Sequence, residues 1–485
     1  MKELKMYIDG RFIENQSDKW IDVLNPSTEE VISKMPDGTP EDARAAINAA
    51  VKAQLSWESL TSIERAGYLT RIAQGIRKRE QELTEDMLDK VGLGTDILTH
   101  LPHQISGGVL FTADYLDYIA GWARRYEGEI IPSDRPHENI FVFKKPIGVT
   151  TGILPWNFPF FLIARKAAPA LLTGNTIVVK PSQLTPENAY VFAQIVDEVG
   201  LPKGVFNLVN GRGSVIGHEL AANPKVGMVS LTGSVEAGIQ TMAAASTNVT
   251  KVSLELGGKA PGIVMPDADL DLAVKSIIAS RVINTGQVCN CCERVYVHSS
   301  IKEAFLEKLL AGFKQVKVGD PNQYTDLDMG PLIDANALKS VEEKVKKAIE
   351  QGAELLCGGH RIGTKGYFFE PTILINCTQK MDIIQEETFG PVLPVVEFTE
   401  VEDAIAWAND CEYGLTSSIY TQNLDMTFKL IRALKFGETY VNRENFEAMQ
   451  GFHAGWRKSG IGGADGKHGL EEYLQTQLVY LETKG

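Results

Sequence analysis

From Gly148 to about Met265, short β-rich runs alternate with stretches of helical character, and this alternation constrains the fold more tightly than any other feature. Strands are expected at 149–154, 176–180, 205–209, 226–231 and 251–256, with helices at 159–172, 185–199, 214–222 and 234–245. Pro186 sits where a first helical turn tolerates proline. Strands separated by helices of this length argue for an α/β fold with a parallel, doubly wound sheet, which binds ligands at the carboxyl ends of its strands. A second α/β pattern runs from Ala268 to about Arg443, with amphipathic helices at 301–313, 338–352 and 401–409, and the switch falls near Glu255. At 485 residues the chain is too long for one core. A charged, proline-rich hairpin at 127–145 and a terminal strand at 474–482 belong to neither unit. Exposed strands of this kind pair with another chain, so a homo-oligomer is expected, a tetramer before a dimer.

Composition excludes several classes of function. Basic residues number 48 against 62 acidic, a net charge of −14, which disfavours nucleic-acid and anionic-membrane partners. No apolar run approaches the roughly 20 residues that span a bilayer, and residues 1–7 lack the apolar core of a signal peptide. A cytoplasmic location is expected. Cys289, Cys291 and Cys292 crowd together while Cys357, Cys377 and Cys411 are scattered, which is neither a disulfide framework nor a zinc-ligand spacing. No metal is expected.

Three stretches carry chemistry. Gly286-Gln287-Val288-Cys289 ends in a thiol that reads as a nucleophile; Leu254-Glu255-Leu256-Gly257-Gly258-Lys259 isolates one carboxylate between apolar residues; Leu154-Pro155-Trp156-Asn157-Phe158-Pro159 offers a side-chain amide in a stiff aromatic turn. Alone, Glu255 reads as a surface carboxylate and Asn157 as a turn former. With Cys289, they suggest covalent chemistry at a carbonyl, with Glu255 as base and Asn157 as oxyanion donor. Apolar Leu254 and Leu256 would raise the pKa of Glu255. No cysteine–histidine pairing is visible. Two glycine loops compete for a dinucleotide. The 211–217 loop has G-x-G-x-x-x-G spacing and reads better as a tight turn than as a phosphate cradle. Gly233-Ser234 can present a helix N-terminus to a pyrophosphate, and Lys180-Pro181-Ser182 can reach a ribose.

These motifs, with Glu386-Glu387-Thr388-Phe389-Gly390-Pro391 and Lys458-Ser459-Gly460, resemble the aldehyde dehydrogenase superfamily over essentially the whole chain. The resemblance implies that fold: a dinucleotide-binding domain (1–126 and 146–254), a catalytic domain (255–455) and a small β oligomerisation element (127–145 and 470–485). It implies NAD as cofactor, with NADP tolerated, held by Leu154, Trp156, Lys180, Ser182, Gln183, Gly233, Ser234, Leu256, Glu387 and Phe389. The implied chemistry is addition of the Cys289 thiolate to an aldehyde, hydride loss to leave a thioester, and hydrolysis by water that Glu255 deprotonates.

Departures from the family narrow the substrate. Arg165 stands where many members carry a bulky apolar residue and His453 where many carry an aromatic; Asn290 follows the nucleophile directly, Glu447 lies in the 442–447 segment, and Phe158 is expected beside them. A tunnel that loses apolar wall and gains these groups should take a small hydroxylated aldehyde, because an alkyl substrate leaves buried polar groups unpaired. The pattern resembles the branch of the family acting on lactaldehyde and glycolaldehyde. Alternatives are a broad-specificity or semialdehyde dehydrogenase, a silent relative that only binds, and a structural Arg165–Glu447 ion pair that never meets substrate. Gln183 stands where many NAD-requiring members have glutamate, so discrimination against NADP should be weak. Helix breakers within 90–109 predict an atypical loop there.

Overall fold

A computed structural model describes residues 2–14, 18–81, 83, 108–324 and 326–484. The expected loop at 90–109 lies, as far as residue 107, outside the described residues; Gly108 precedes the helix Val109–Ala120.

Two large sheets organise the chain. The first has eight strands in the order Gly460–Ile461, Lys251–Glu255, Met228–Thr232, Val149–Ile153, Thr176–Lys180, Phe206–Leu208, Met6–Ile8 and Arg11–Ile13. Its five central strands are parallel. Buried on both faces, they are the near-continuous apolar runs that such strands require. Strand order reverses between Val149–Ile153 and Met228–Thr232, so the segments leaving these two strands, 154–157 and 233–234, share one crevice. The second sheet has seven strands, in the order Glu354–Cys357, Thr372–Ile375, Val392–Phe398, Cys292–His298, Ala260–Val264, Thr416–Tyr420 and Glu438–Val441. The chain crosses between sheets at 256–259, directly after Glu255.

The antiparallel strand Gly460–Ile461 returns to edge the first sheet, pairing Glu255 with Gly460. Only glycine allows that approach, since a Cβ on Gly460 would lie 2.1 Å from the Leu254 carbonyl oxygen. The helix Phe161–Leu172 is buried all round, Arg165 and Lys166 included, an arrangement that demands partners for both charges. The helix expected at 214–222 is broken: 213–217 form a wide π-helical turn and only His218–Ala222 continue as α-helix. Glu129–Pro132, Glu138–Pro146 and Leu474–Glu482 make a separate three-stranded sheet, the last two paired over nine residues. Ile130, Phe143, Leu478, Tyr480 and Leu481 stand exposed on it. No helix among the described residues is long and apolar enough to cross a membrane.

Candidate active site

The helix Leu270–Val282 ends in a turn where Asn284, Thr285 and Gly286 are all left-handed, with φ of 46°, 58° and 73°. For β-branched Thr285 this costs about 1–3 kcal/mol, so the surroundings must impose it. Thr285 Oγ1 donates to the Gly330 carbonyl at 3.0 Å. Buried Arg281 donates to the carbonyls of Gly286 and Cys292 at 2.5 and 3.0 Å, and the Gln287 side chain bridges Asn284 O and Ile333 N–H at 3.0 and 2.9 Å. A Cβ on Gly286 would strike the Gly390 carbonyl oxygen at 2.3 Å. This turn leaves the Cys289 thiol partly exposed while Cys291 and Cys292 are buried. The Cys291 thiol donates to Val288 O at 2.8 Å. Burial pushes the Cys292 thiol up to about 12 and Cys291 higher still, so neither forms a thiolate readily.

Asn157 Nδ2 donates to the Gln287 carbonyl at 3.0 Å, and Asn284 Nδ2 donates to the Asn157 carbonyl at 3.1 Å, which locks the aromatic turn to the nucleophile turn. Glu255 accepts the Thr232 hydroxyl at 2.5 Å and lies 3.5 Å from Lys166 Nζ, which itself donates to Ser230 Oγ at 2.9 Å. The expectation of a raised Glu255 pKa is therefore overturned. Burial does push it up, but Lys166, Arg165, His453 and the Thr232 hydroxyl outweigh burial and hold it at about 2. Lys166 is invisible as a partner in sequence, because the bond joins a helix to a strand 89 positions on.

Two cavities meet at Cys289. The first is lined by Asn157, Phe158, Arg165, Cys289, Asn290 and Glu447, together with Phe111, Phe161, Leu162, Val288 and Phe446. The wall expected to be lost is thus largely kept, because Phe111 and Phe446 come from segments where no motif marks them. The polar groups form one network. Arg165 Nη2 pairs with Glu447 at 2.8 Å, Arg165 Nε donates to Asp465 at 3.0 Å, and Asn290 Nδ2 donates to Glu447. The Arg165–Glu447 ion pair exists, and both partners also line the cavity. His453, expected at the substrate, is not among the residues that line this cavity; it is buried beside the network and bonds Glu438 at 2.5 Å, and Tyr440 donates to the same carboxylate. Burial disfavours the imidazolium, yet Glu438 and Glu447 prevail and raise its pKa well above the ordinary value.

The second cavity gathers Trp156, Asn157, Gly233, Ser234, Glu255, Leu256, Cys289, Glu387 and Phe389, with Ser340 and Lys344 in addition. Trp156 and Phe389 meet edge to face at 5.5 Å and 88°. Ser234 caps the helix Val235–Ser246, accepting Ala237 N–H at 3.2 Å, so the N-terminus of a twelve-residue helix faces the cleft. Glu387 accepts Gly258 N–H at 2.9 Å; burial and then the Glu293 charge push it up to about 7. Leu154, Lys180, Ser182 and Gln183 do not line this cavity but cluster at the ends of the adjoining strands, where Leu154 N–H bonds Lys180 O at 3.0 Å. Lys180 is buried, donates to Pro181 O at 3.0 Å and is lowered by burial to about 8. Ser340 and Lys344 carry no sequence signal, because they lie on an ordinary amphipathic surface helix, Ala335–Glu350. The donor set suits a dinucleotide: a helix N-terminus for a pyrophosphate, an ammonium and a carboxylate for ribose hydroxyls, and an aromatic wall for a flat ring. The Gly211 loop instead packs against Gly38, where a Cβ would stand 3.0 Å from the backbone nitrogen. Among the described residues no cluster of metal-ligating side chains occurs.

The sequence model of the Aldehyde dehydrogenase family matches residues 12–479. The chain is 63% identical to lactaldehyde dehydrogenase of Escherichia coli (strain K12) over 478 residues, 99% of this chain and 98% of that one. It is 39% identical to D-glyceraldehyde dehydrogenase (NADP(+)) of Thermoplasma acidophilum, covering 100% of this chain and 97% of that one. A solved structure of lactaldehyde dehydrogenase superposes with a TM-score of 0.96 at 63% identity, covering 99% of each chain.

Proposed function

The chain belongs to the aldehyde dehydrogenase family, and from that premise we propose that it oxidises a small hydroxylated aldehyde, lactaldehyde before glycolaldehyde, to the carboxylic acid. The observation that carries the choice of substrate is the state of Arg165. Its guanidinium is engaged by both Glu447 and Asp465, so it has no free charge to offer a substrate carboxylate. Glu447, meanwhile, adds a negative charge to the cavity wall. Burial raises the Glu447 pKa, but His453 and Arg165 lower it further, and it stays ionised. A semialdehyde would bring its distal carboxylate against that charge. A neutral hydroxyl can donate to Glu447 or accept from Asn290, while Phe111, Phe158 and Phe446 pack its short carbon chain. High identity to lactaldehyde dehydrogenase supports the same reading.

In this account Cys289 Sγ adds to the aldehyde carbon where the two cavities meet. The Asn157 amide leaves Gln287 O to donate to the developing oxyanion, a contact typically worth about 3–4 kcal/mol. NAD or NADP supplies the hydride acceptor when bound. Ser234 would face its pyrophosphate, Lys180, Ser182 and Gln183 one ribose, and Glu387 the other, with Gly233 keeping the backbone close and Leu154, Trp156, Leu256 and Phe389 as apolar walls. After hydride loss the acyl group remains on Cys289, and Glu255 takes a proton from the water that hydrolyses it. The residues before 127 and from 146 to 254 would then form the cofactor domain and 255–455 the catalytic domain. The three-stranded sheet, with its exposed Ile130, Phe143 and Tyr480, would join subunits into a homo-oligomer, a tetramer by preference.

The test is a comparison of kcat/KM for lactaldehyde, glycolaldehyde, propionaldehyde and succinate semialdehyde, read as reduced nicotinamide. Lactaldehyde is expected to lead propionaldehyde by tenfold or more, with the semialdehyde lowest. A semialdehyde in first place would overturn the Arg165 argument.

A further inference from the structure

Glu293 follows the cysteine run directly, and no step of the proposed chemistry uses it. It is fully buried, and both of its carboxylate oxygens are partnered. Oε2 accepts Lys259 Nζ at 2.7 Å and the Thr388 N–H at 2.9 Å. Oε1 lies 3.0 Å from Arg281 Nη1 and accepts the Phe389 N–H at 3.1 Å. Lys259 also donates to the Thr388 hydroxyl at 3.1 Å. One carboxylate thus takes two successive backbone N–H groups of the 387–389 segment, and two buried cations pin it in place.

That segment needs an external clamp. Phe389 is left-handed, at φ 53°, a conformation an aromatic side chain rarely holds unaided. It precedes the strand Val392–Phe398 in a short irregular stretch without ladder hydrogen bonds of its own. Glu387 and Phe389, at its two ends, are the groups that would meet the nicotinamide half of the cofactor.

We propose that Glu293 is a positioning residue for the cofactor: its carboxylate fixes the Glu387-Thr388-Phe389 segment in the conformation that receives the nicotinamide ribose and ring. This rests on the dehydrogenase reading above. Only a carboxylate can serve. A glutamine has one acceptor oxygen, and its NH2 group would face an N–H donor, leaving either Thr388 or Phe389 unpaired. It would also leave Lys259 and Arg281 without their shared counter-charge.

The test compares native protein with Glu293→Gln and Glu293→Asp. NAD affinity is measured by titration calorimetry, and the Cys289 thiol is followed separately through cofactor-free hydrolysis of p-nitrophenyl acetate. In Glu293→Gln the NAD Kd should rise at least tenfold, with the ester rate falling less than threefold. Glu293→Asp keeps the charge but shortens the reach, so its Kd should fall between the two. Equal losses in Kd and ester rate would show that Glu293 merely supports the fold, and an unchanged Kd would show that it does not hold the segment; either overturns the proposal. If Glu293→Gln fails to fold, Glu293→Asp decides on the same two readouts. Failure of the dehydrogenase reading shows up separately, as native protein that hydrolyses the ester yet yields no reduced cofactor with any aldehyde.

Discussion

Replacing Lys166 with methionine should convert Glu255 from a very weak base into an effective one with a visible titration. Lys166 Nζ lies 3.5 Å from the Glu255 carboxylate, and both side chains are buried. At an effective dielectric of about 20, that separation corresponds to about 5 kcal/mol, or roughly three pKa units. Glu255, held at about 2 in the native protein, should therefore rise to about 5–6 in Lys166→Met, with Arg165 and His453 still restraining it. The sign follows directly. With its pKa held at about 2, the native carboxylate is ionised across the assay range, so hydrolysis should show no acid limb from this group. In the variant, activity should fall as pH drops through about 5–6, and above that range the stronger base should speed deacylation. Losing one partner of a buried ion pair costs about 3–5 kcal/mol, and protonation of Glu255 relieves part of it, so the variant should gain stability relative to native as pH falls. The assay is the pH–rate profile for p-nitrophenyl acetate hydrolysis, with a thermal melt at each pH. Profiles that superimpose between about pH 4.5 and 7 would refute the claim that Lys166 sets the basicity of Glu255.

Cofactor affinity should depend on pH through Glu387. Its carboxyl is raised to about 7, so it is an ionised acceptor for ribose hydroxyls above that pH and protonated below it. NAD Kd should weaken by up to about tenfold from pH 8 to 6, with proton release on binding near neutrality, and a flat calorimetric Kd would contradict this. Gln183→Glu should raise the NAD over NADP ratio of kcat/KM, since the native amide lacks the charge that repels a 2′-phosphate; an unchanged ratio means position 183 does not set the choice. Glu447→Gln removes the negative wall charge and frees Arg165 in part, so succinate semialdehyde turnover should rise about tenfold or more while lactaldehyde turnover falls. If semialdehyde turnover stays flat, Glu447 is not the discriminating charge.

Local signals in the chain announced the groups that sit in turns and strand ends. Cys289, Asn157, Ser234 and Glu387 occupy short segments whose glycines and prolines are readable in order, and the parallel strands announced themselves as buried apolar runs. What sequence could not show is pairing across the fold. Lys166 and Glu255, and Arg165 and Asp465, come together only after two sheets and a returning C-terminal strand are in place. For that reason the Glu255 shift runs opposite to what its apolar sequence neighbours imply: three cationic neighbours in space, Lys166, Arg165 and His453, outweigh them. The aromatic tunnel wall escaped for a related reason, as Phe111 and Phe446 look like any other apolar residue until the tunnel forms around them.

Trapping the acyl group tests the central claim most directly. Glu255→Gln protein mixed with NAD and lactaldehyde should release about one equivalent of reduced cofactor and then stall. Acid quench and peptide mass analysis should place a lactoyl thioester on Cys289, with Cys291 and Cys292 unmodified, and Cys289→Ala should give neither burst nor adduct. A burst whose adduct maps to Cys291 or Cys292, or reduced cofactor formed without any acyl-enzyme, would contradict covalent catalysis at Cys289.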